Sequence, residues 1–145
     1  MSNKFVDKEQ FFLLIEAGFI AVNQADEDSA LKIFNACKIL NPTSSLSEIG
    51  IGYLHFHKLE LGKAIEIFTK VLERDPKSEM AKTLLGMSLS LSPTKGAEGE
   101  KMLTDIAKDS DDPQIRNVAS TTIDFVDTFV KKSASPLEPK KPKQK

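Results

Sequence analysis

The sequence predicts an all-α fold: a solenoid of helical hairpins, about three repeats long, closed by a C-terminal capping helix. Three observations predict it. Residues of matching type recur at a single 34-residue step. Proline and polar turn sequences fall where each hairpin should bend or end. Helix-start signals stand at the points where new hairpins should open.

The recurrence comes first. Gly18 and Gly52, Ala30 and Ala64, Phe34 and Phe68, and Pro42 and Pro76 are each 34 residues apart. A glycine inside a helix costs stability unless it permits close backbone approach. The alanines are small residues where helices can pack tightly, and each phenylalanine lies four positions on, on the same helical face. The prolines cannot continue a helix and mark its end.

Turns and starts follow. Asn23 to Ser29 and Lys58 to Gly62 sit where the hairpins should turn. Ser45-Leu-Ser-Glu48 has the form of a capping box, and Asp112-Pro113 suits an N-cap followed by the first helical position. These signals place helices at 8–23, 28–40, 45–58, 62–74, 79–91, 97–109 and 113–131. Repeats then cover 11–44, 45–78 and 79–112, within a domain of residues 1–132. In the third, Leu85-Gly86 keeps the step, but Ser92-Pro93-Thr94-Lys95-Gly96 disturbs it, and Met102 stands where phenylalanine is expected. The last helix carries an apolar stripe through Ile115, Val118, Ala119, Thr122, Ile123, Val126 and Val130 and is expected to cover the end of the stack. Residues 133–145, rich in proline and lysine, are expected to be a disordered basic tail.

Composition narrows the function classes. The net charge of -1 with 28% charged residues argues against a dedicated nucleic-acid binder. Cys37 is the one cysteine, so no intrachain disulfide forms, and a reducing compartment is expected. Phe11 to Val22 is too short and too interrupted by Glu16 to cross a bilayer. Its acidic lead-in is wrong for a secretory signal, which points to a cytoplasmic protein without stable membrane insertion.

Residues that could carry chemistry all have plainer readings. Gly50-Ile51-Gly52 lies within a helix with no preceding strand, so tight packing outweighs phosphate binding. His55 and His57 are two apart and diverge on a helix, which suits solvent or partner contact rather than a metal. Asp109, Asp111 and Asp112 resemble the start of a calcium loop, but Gln114 and Ser120 stand where glycine and glutamate are required. Cys37 reads as a buried structural thiol. Pro139-Lys-Lys-Pro-Lys143 has the form of an import address or of a solubilising tail, with the second favoured. No enzyme, cofactor or metal is expected.

The middle unit shows the pattern best: Ile51-Gly52-Tyr53-Leu54, then Gly62-Lys-Ala64-Ile-Glu-Ile-Phe68, then Val71-Leu-Glu-Arg-Asp75-Pro76. It resembles a tetratricopeptide repeat. In that family the first helix of each repeat lines a concave groove. The resemblance therefore implies partner-binding positions at Phe12, Ile15, Phe19 and Val22, at Ile49, Tyr53 and Phe56, and at Met80, Thr83, Met87 and Leu91. Family members that clamp an acidic C-terminal peptide place Lys, Arg and Asn there. Here Ile15 and Phe19 fill those places, so the implied ligand is an amphipathic helix or an extended apolar segment.

The first helix adds a second expectation. Between Phe11 and Val22 only Glu16 is strongly polar. A helix apolar all round should be covered all round, so this one is expected to meet a second chain, either a twin subunit, a co-chaperone or a client. In size and groove polarity the chain resembles the small tetratricopeptide chaperones of bacterial type III secretion. Those hold a needle or translocator subunit before export. A general scaffold or assembly adaptor is the alternative.

Overall fold

The computed structural model describes residues 7–131. Seven α-helices follow one another: α1 (Lys8–Asn23), α2 (Glu27–Leu40), α3 (Leu46–His57), α4 (Leu61–Arg74), α5 (Glu79–Leu91), α6 (Gly96–Asp109) and α7 (Pro113–Phe125). The last runs on into a π-helical turn, Val126–Val130, so the expected 113–131 helix widens at its end. Lys131 N–H donates to the Val126 carbonyl at 2.9 Å. The expected basic tail, with its lysine-proline run, lies outside the described residues.

Local chemistry starts the helices. Asp7 and Gln10 form a reciprocal capping box at α1 (2.8 and 3.1 Å). Asp26, Ser78 and Asp112 cap α2, α5 and α7. The box expected at Ser45 does not form. Ser44 Oγ accepts from Leu46 N–H instead, and Ser45 Oγ donates to Asp75. Glu48 is drawn away into an ion pair with Arg74 of α4. The bonds to Asp75 and Arg74 tie α3 to the end of the following helix, so tertiary partners outbid the local motif.

Each helix packs on the next, forming hairpins α1–α2, α3–α4 and α5–α6. The backbones of the odd-numbered helices also approach one another in order, α1 to α3, α3 to α5 and α5 to α7, whereas no such backbone approach links α2, α4 and α6. The inner row is thus closely spaced and the outer row fanned apart, which curves the stack around the inner row. This is a helical-hairpin solenoid closed by α7.

The 34-residue step has a packing cause. Phe34 is fully buried, and its ring lies between Gly18 of α1 and Gly50 of α3; a methyl group at either glycine would overlap it. Phe68 is buried against Gly52 in the same way. Each ring fills a space that only a bare backbone leaves open. Gly50 and Gly52 are therefore both part of the packing, against Phe34 and Phe68, rather than of a phosphate loop.

The third repeat corrects one expectation. Met102 is only half-buried, and it is Leu103 that is fully buried and meets Gly86. Gly99 lies so close to α5 that an added methyl would strike the backbone of Gly86, Leu89 and Ser90. The outer helix has slipped by one residue, and the turns explain why. Ala25 and Leu59, 34 apart, both adopt positive φ (59° and 60°) at the ends of α1 and α3. There the N–H groups of Asp26 and Glu60 close back onto the Ala21 and His55 carbonyls. The next position in the series is Pro93, whose ring forbids positive φ. That turn is built with four residues, 92–95, where the first two use three, 24–26 and 58–60. The following connection, 110–112, is one residue shorter than 75–78. The inner helices therefore keep their step, with α5 starting at Glu79 and α7 at Pro113.

Candidate protein-binding groove

The inner row brings register-equivalent residues side by side. One row holds Phe12, Leu46, Met80 and Gln114; a second holds Phe19, Tyr53, Met87 and Thr121; a third holds Asn23, His57, Leu91 and Phe125. None of these positions carries Lys, Arg, Asp or Glu.

The middle of this surface is an aromatic run. The Phe19 and Tyr53 rings are 5.3 Å apart, Tyr53 and Phe56 are stacked at 6.4 Å, and His57 meets the Tyr53 ring edge-on at 6.3 Å. Phe19 also makes an edge contact with Phe34 at 5.5 Å, so the run is rooted in the core. Phe19 packs against both apolar clusters of the stack, joining the first hairpin to the second. Tyr53 Oη donates to Asn23 Oδ1 at 2.6 Å, across α3 and α1. Burial pushes the Tyr53 phenol above its usual range.

The structure divides the residues expected to line the groove. Phe12 and Met80 are exposed, and Phe19, Tyr53, Phe56, Met87 and Leu91 are half-buried, so their side chains are available to a ligand. Ile15, Val22, Ile49 and Thr83 are corrected: all four are buried. They point between helices rather than into the groove. Ile15 and Val22 belong to the first cluster with Phe34, and Ile49 belongs to the second with Phe68. Thr83 turns its hydroxyl to the Glu79 carbonyl at 2.7 Å. These four form the floor beneath the aromatic run.

Three further residues belong to this surface, of which the sequence marked only His57, for solvent or partner contact. Asn23 and His57 are exposed and touch Tyr53, and Phe125 holds the equivalent place on α7. Extending the 34-residue step from Leu91 in both directions finds all three.

Other chemistry-bearing residues are structurally occupied. Cys37 is fully buried beside Phe34, and burial raises its thiol. His55 faces Glu60 at 3.3 Å. Asp112 caps α7. No described helix is long and apolar enough to cross a membrane.

This geometry defines a class of protein, a helical-repeat solenoid with an apolar inner face. Comparison of the chain with protein-family models, with curated proteins and with solved structures found no match.

Proposed function

We propose that this protein is a holding chaperone whose inner groove covers an amphipathic helix, or an extended apolar segment, of a protein client. The observation that carries the reading is the half-exposed run Phe19–Tyr53–Phe56, flanked by Phe12, Met80 and Met87, along inner-row positions none of which carries Lys, Arg, Asp or Glu. Aromatic rings with a rigid base supply contact area at little entropic cost, and methionines adapt to imperfect fits. A stripe of apolar side chains at helical spacing is the ligand chemistry that such a groove accepts.

The resemblance to the type III secretion chaperones supplies a client class: a small helical subunit that polymerises once released. The mechanism is mass action. The chaperone covers the helix through which subunits associate and withholds it from self-assembly. Cytoplasmic action before export belongs to the same proposal.

Co-expression and pull-down in the source cells, read by mass spectrometry, tests this. The expected outcome is a small helical protein that co-purifies with the chain and aggregates, by light scattering, when freed from it. A Phe19→Glu/Tyr53→Glu variant that keeps its helical circular dichroism should lose the client. Full client yield with that variant would sink the groove reading.

A further inference from the structure

The apolar inner surface does not stop at α5. Its third row runs Asn23, His57, Leu91 and Phe125, and the π-helical turn after α7 brings Phe129 against Phe125, with ring centroids 5.1 Å apart. Phe125 and Phe129 are 49% and 60% exposed. Val118, two helical turns before Phe125 and on the same face, is exposed as well. This aromatic pair stands beside Lys131, where the described residues end.

The sequence that follows has matching chemistry. Pro136, Pro139 and Pro142 are spaced by three, and so are Leu137, Lys140 and Lys143. In a polyproline II helix a spacing of three sets residues on one edge, and proline edges dock on aromatic-lined grooves. The lysines have a counterpart too. Glu16 lies between Phe12 and Phe19 on the same face of α1, at the far end of the inner row. It is exposed and makes no ion pair among the described residues.

The lengths agree. With neighbouring helix axes about 10 Å apart, Tyr53 on α3 stands about 20 Å from α7, and Glu16 on α1 about 30 Å. About 8 Å of chain returns from Lys131 to the level of Phe125. At about 3.1 Å per residue, the remainder can carry Pro136 between α7 and α5, Pro139 about 17 Å from α7 and Lys143 about 29 Å from it. The prolines thus reach the aromatic part of the groove and the lysines its acidic end, in the order in which the groove presents them.

We propose that residues 133–145 dock in the protein's own groove when no client is bound, with Pro136 and Pro139 against the rings from Phe129 to Tyr53 and Lys143 on Glu16. A tethered segment of this length is present at about millimolar effective concentration. Weak contacts then suffice to shield the rings from other chains, and a client of higher affinity displaces the segment. This inference rests on the groove reading and adds what covers the groove before a client arrives.

The test compares the full chain with a chain lacking residues 133–145. Tyr53 is the only tyrosine and the removed segment holds no aromatic residue, so Tyr53 fluorescence reports the groove in both. Without a client, acrylamide quenching of Tyr53 should rise about twofold on removal of the segment. The amide resonances of Tyr53, His57, Leu91 and Phe125 should shift with it. Pro136→Ala/Pro139→Ala/Pro142→Ala in the full chain should reproduce the loss of protection. Glu16→Lys should also lose it, and adding Lys140→Glu/Lys143→Glu to that variant should restore it. The proposal is overturned if removal changes neither quenching nor resonances, if the shifts lie away from the inner helices, or if Glu16→Lys behaves as the unaltered chain. Protection that disappears on dilution would overturn it in favour of the segment of a second copy. No client enters these measurements, so their failure leaves the groove reading to its own test, client yield with Phe19→Glu/Tyr53→Glu.

Discussion

Tyr53 Oη donates to Asn23 Oδ1 at 2.6 Å, joining α3 to α1 at the surface of the groove. Tyr53 is the only tyrosine, and the chain has no tryptophan. Its ultraviolet signal is therefore a native probe of the proposed binding surface. Burial raises the phenol above its reference value of 10. The folded state thus holds the proton more tightly than the unfolded chain. Its stabilising share is intact below pH 10 and is lost as pH rises through the folded value. Absorbance at the phenolate band should titrate above 10 in the native protein and at about 10 in denaturant. Tyr53→Phe should cost about 0.5–1.5 kcal/mol in chemical denaturation at neutral pH.

The positive-φ turns make a separate prediction. Ala25 and Leu59 carry a β-carbon in a backbone conformation that favours glycine. Ala25→Gly and Leu59→Gly should each stabilise the protein by about 0.5–1 kcal/mol, seen as a higher denaturation midpoint. Leu59 is also largely exposed, so its replacement sacrifices little packing.

Ser47 is fully buried on α3, and its hydroxyl has no hydrogen-bond partner. Alanine already stands at the equivalent position of the next repeat, Ala81, which is also fully buried. Ser47→Ala should therefore raise stability by about 1 kcal/mol, because it removes an unsatisfied polar group without opening a cavity of consequence. A loss of stability in urea unfolding would contradict this account.

Acid should weaken the turn between α3 and α4. Glu60 receives Lys58 at 3.0 Å, Lys63 at 3.1 Å and His55 at 3.3 Å, and Lys58 also reaches back to Glu27 of the first hairpin at 2.9 Å. Hydrogen bonds from Lys58, Lys63 and His55 hold the Glu60 carboxyl at about 2, against a reference of 4.5. A depressed carboxyl contributes stability that is present above 4.5 and lost as pH falls toward 2. Glu60→Gln should flatten the acid limb of the thermal-stability profile in that window. Added salt should shrink the difference, because the cluster is solvent-accessible.

Much of the fold was legible from spacing. A helix pair repeated at a fixed step leaves its mark on small and aromatic residues because each ring needs a bare backbone opposite it, as Phe34 needs Gly18. Helix positions followed from caps and prolines, which act over three or four residues and need no knowledge of the rest of the chain. The capping box at Ser45 failed for the converse reason. Glu48 and Ser45 found partners on α4 and in the turn after it, and a local motif does not reveal such long-range competition.

The groove was legible as a set of helices but not residue by residue. An apolar side chain on an inner helix either enters the groove or passes between helices, and the difference is a rotation of tens of degrees. Composition does not distinguish Ile15 from Phe12, or Ile49 from Tyr53. The sequence by itself determined the helices, their 34-residue step and the apolar character of the inner row, because these follow from local propensity and from periodicity. Only the tertiary structure decided which apolar residues are floor and which are surface, and that Leu103 rather than Met102 fills the third core. Burial is a property of what lies opposite a side chain, and in a stack what lies opposite belongs to the neighbouring repeat.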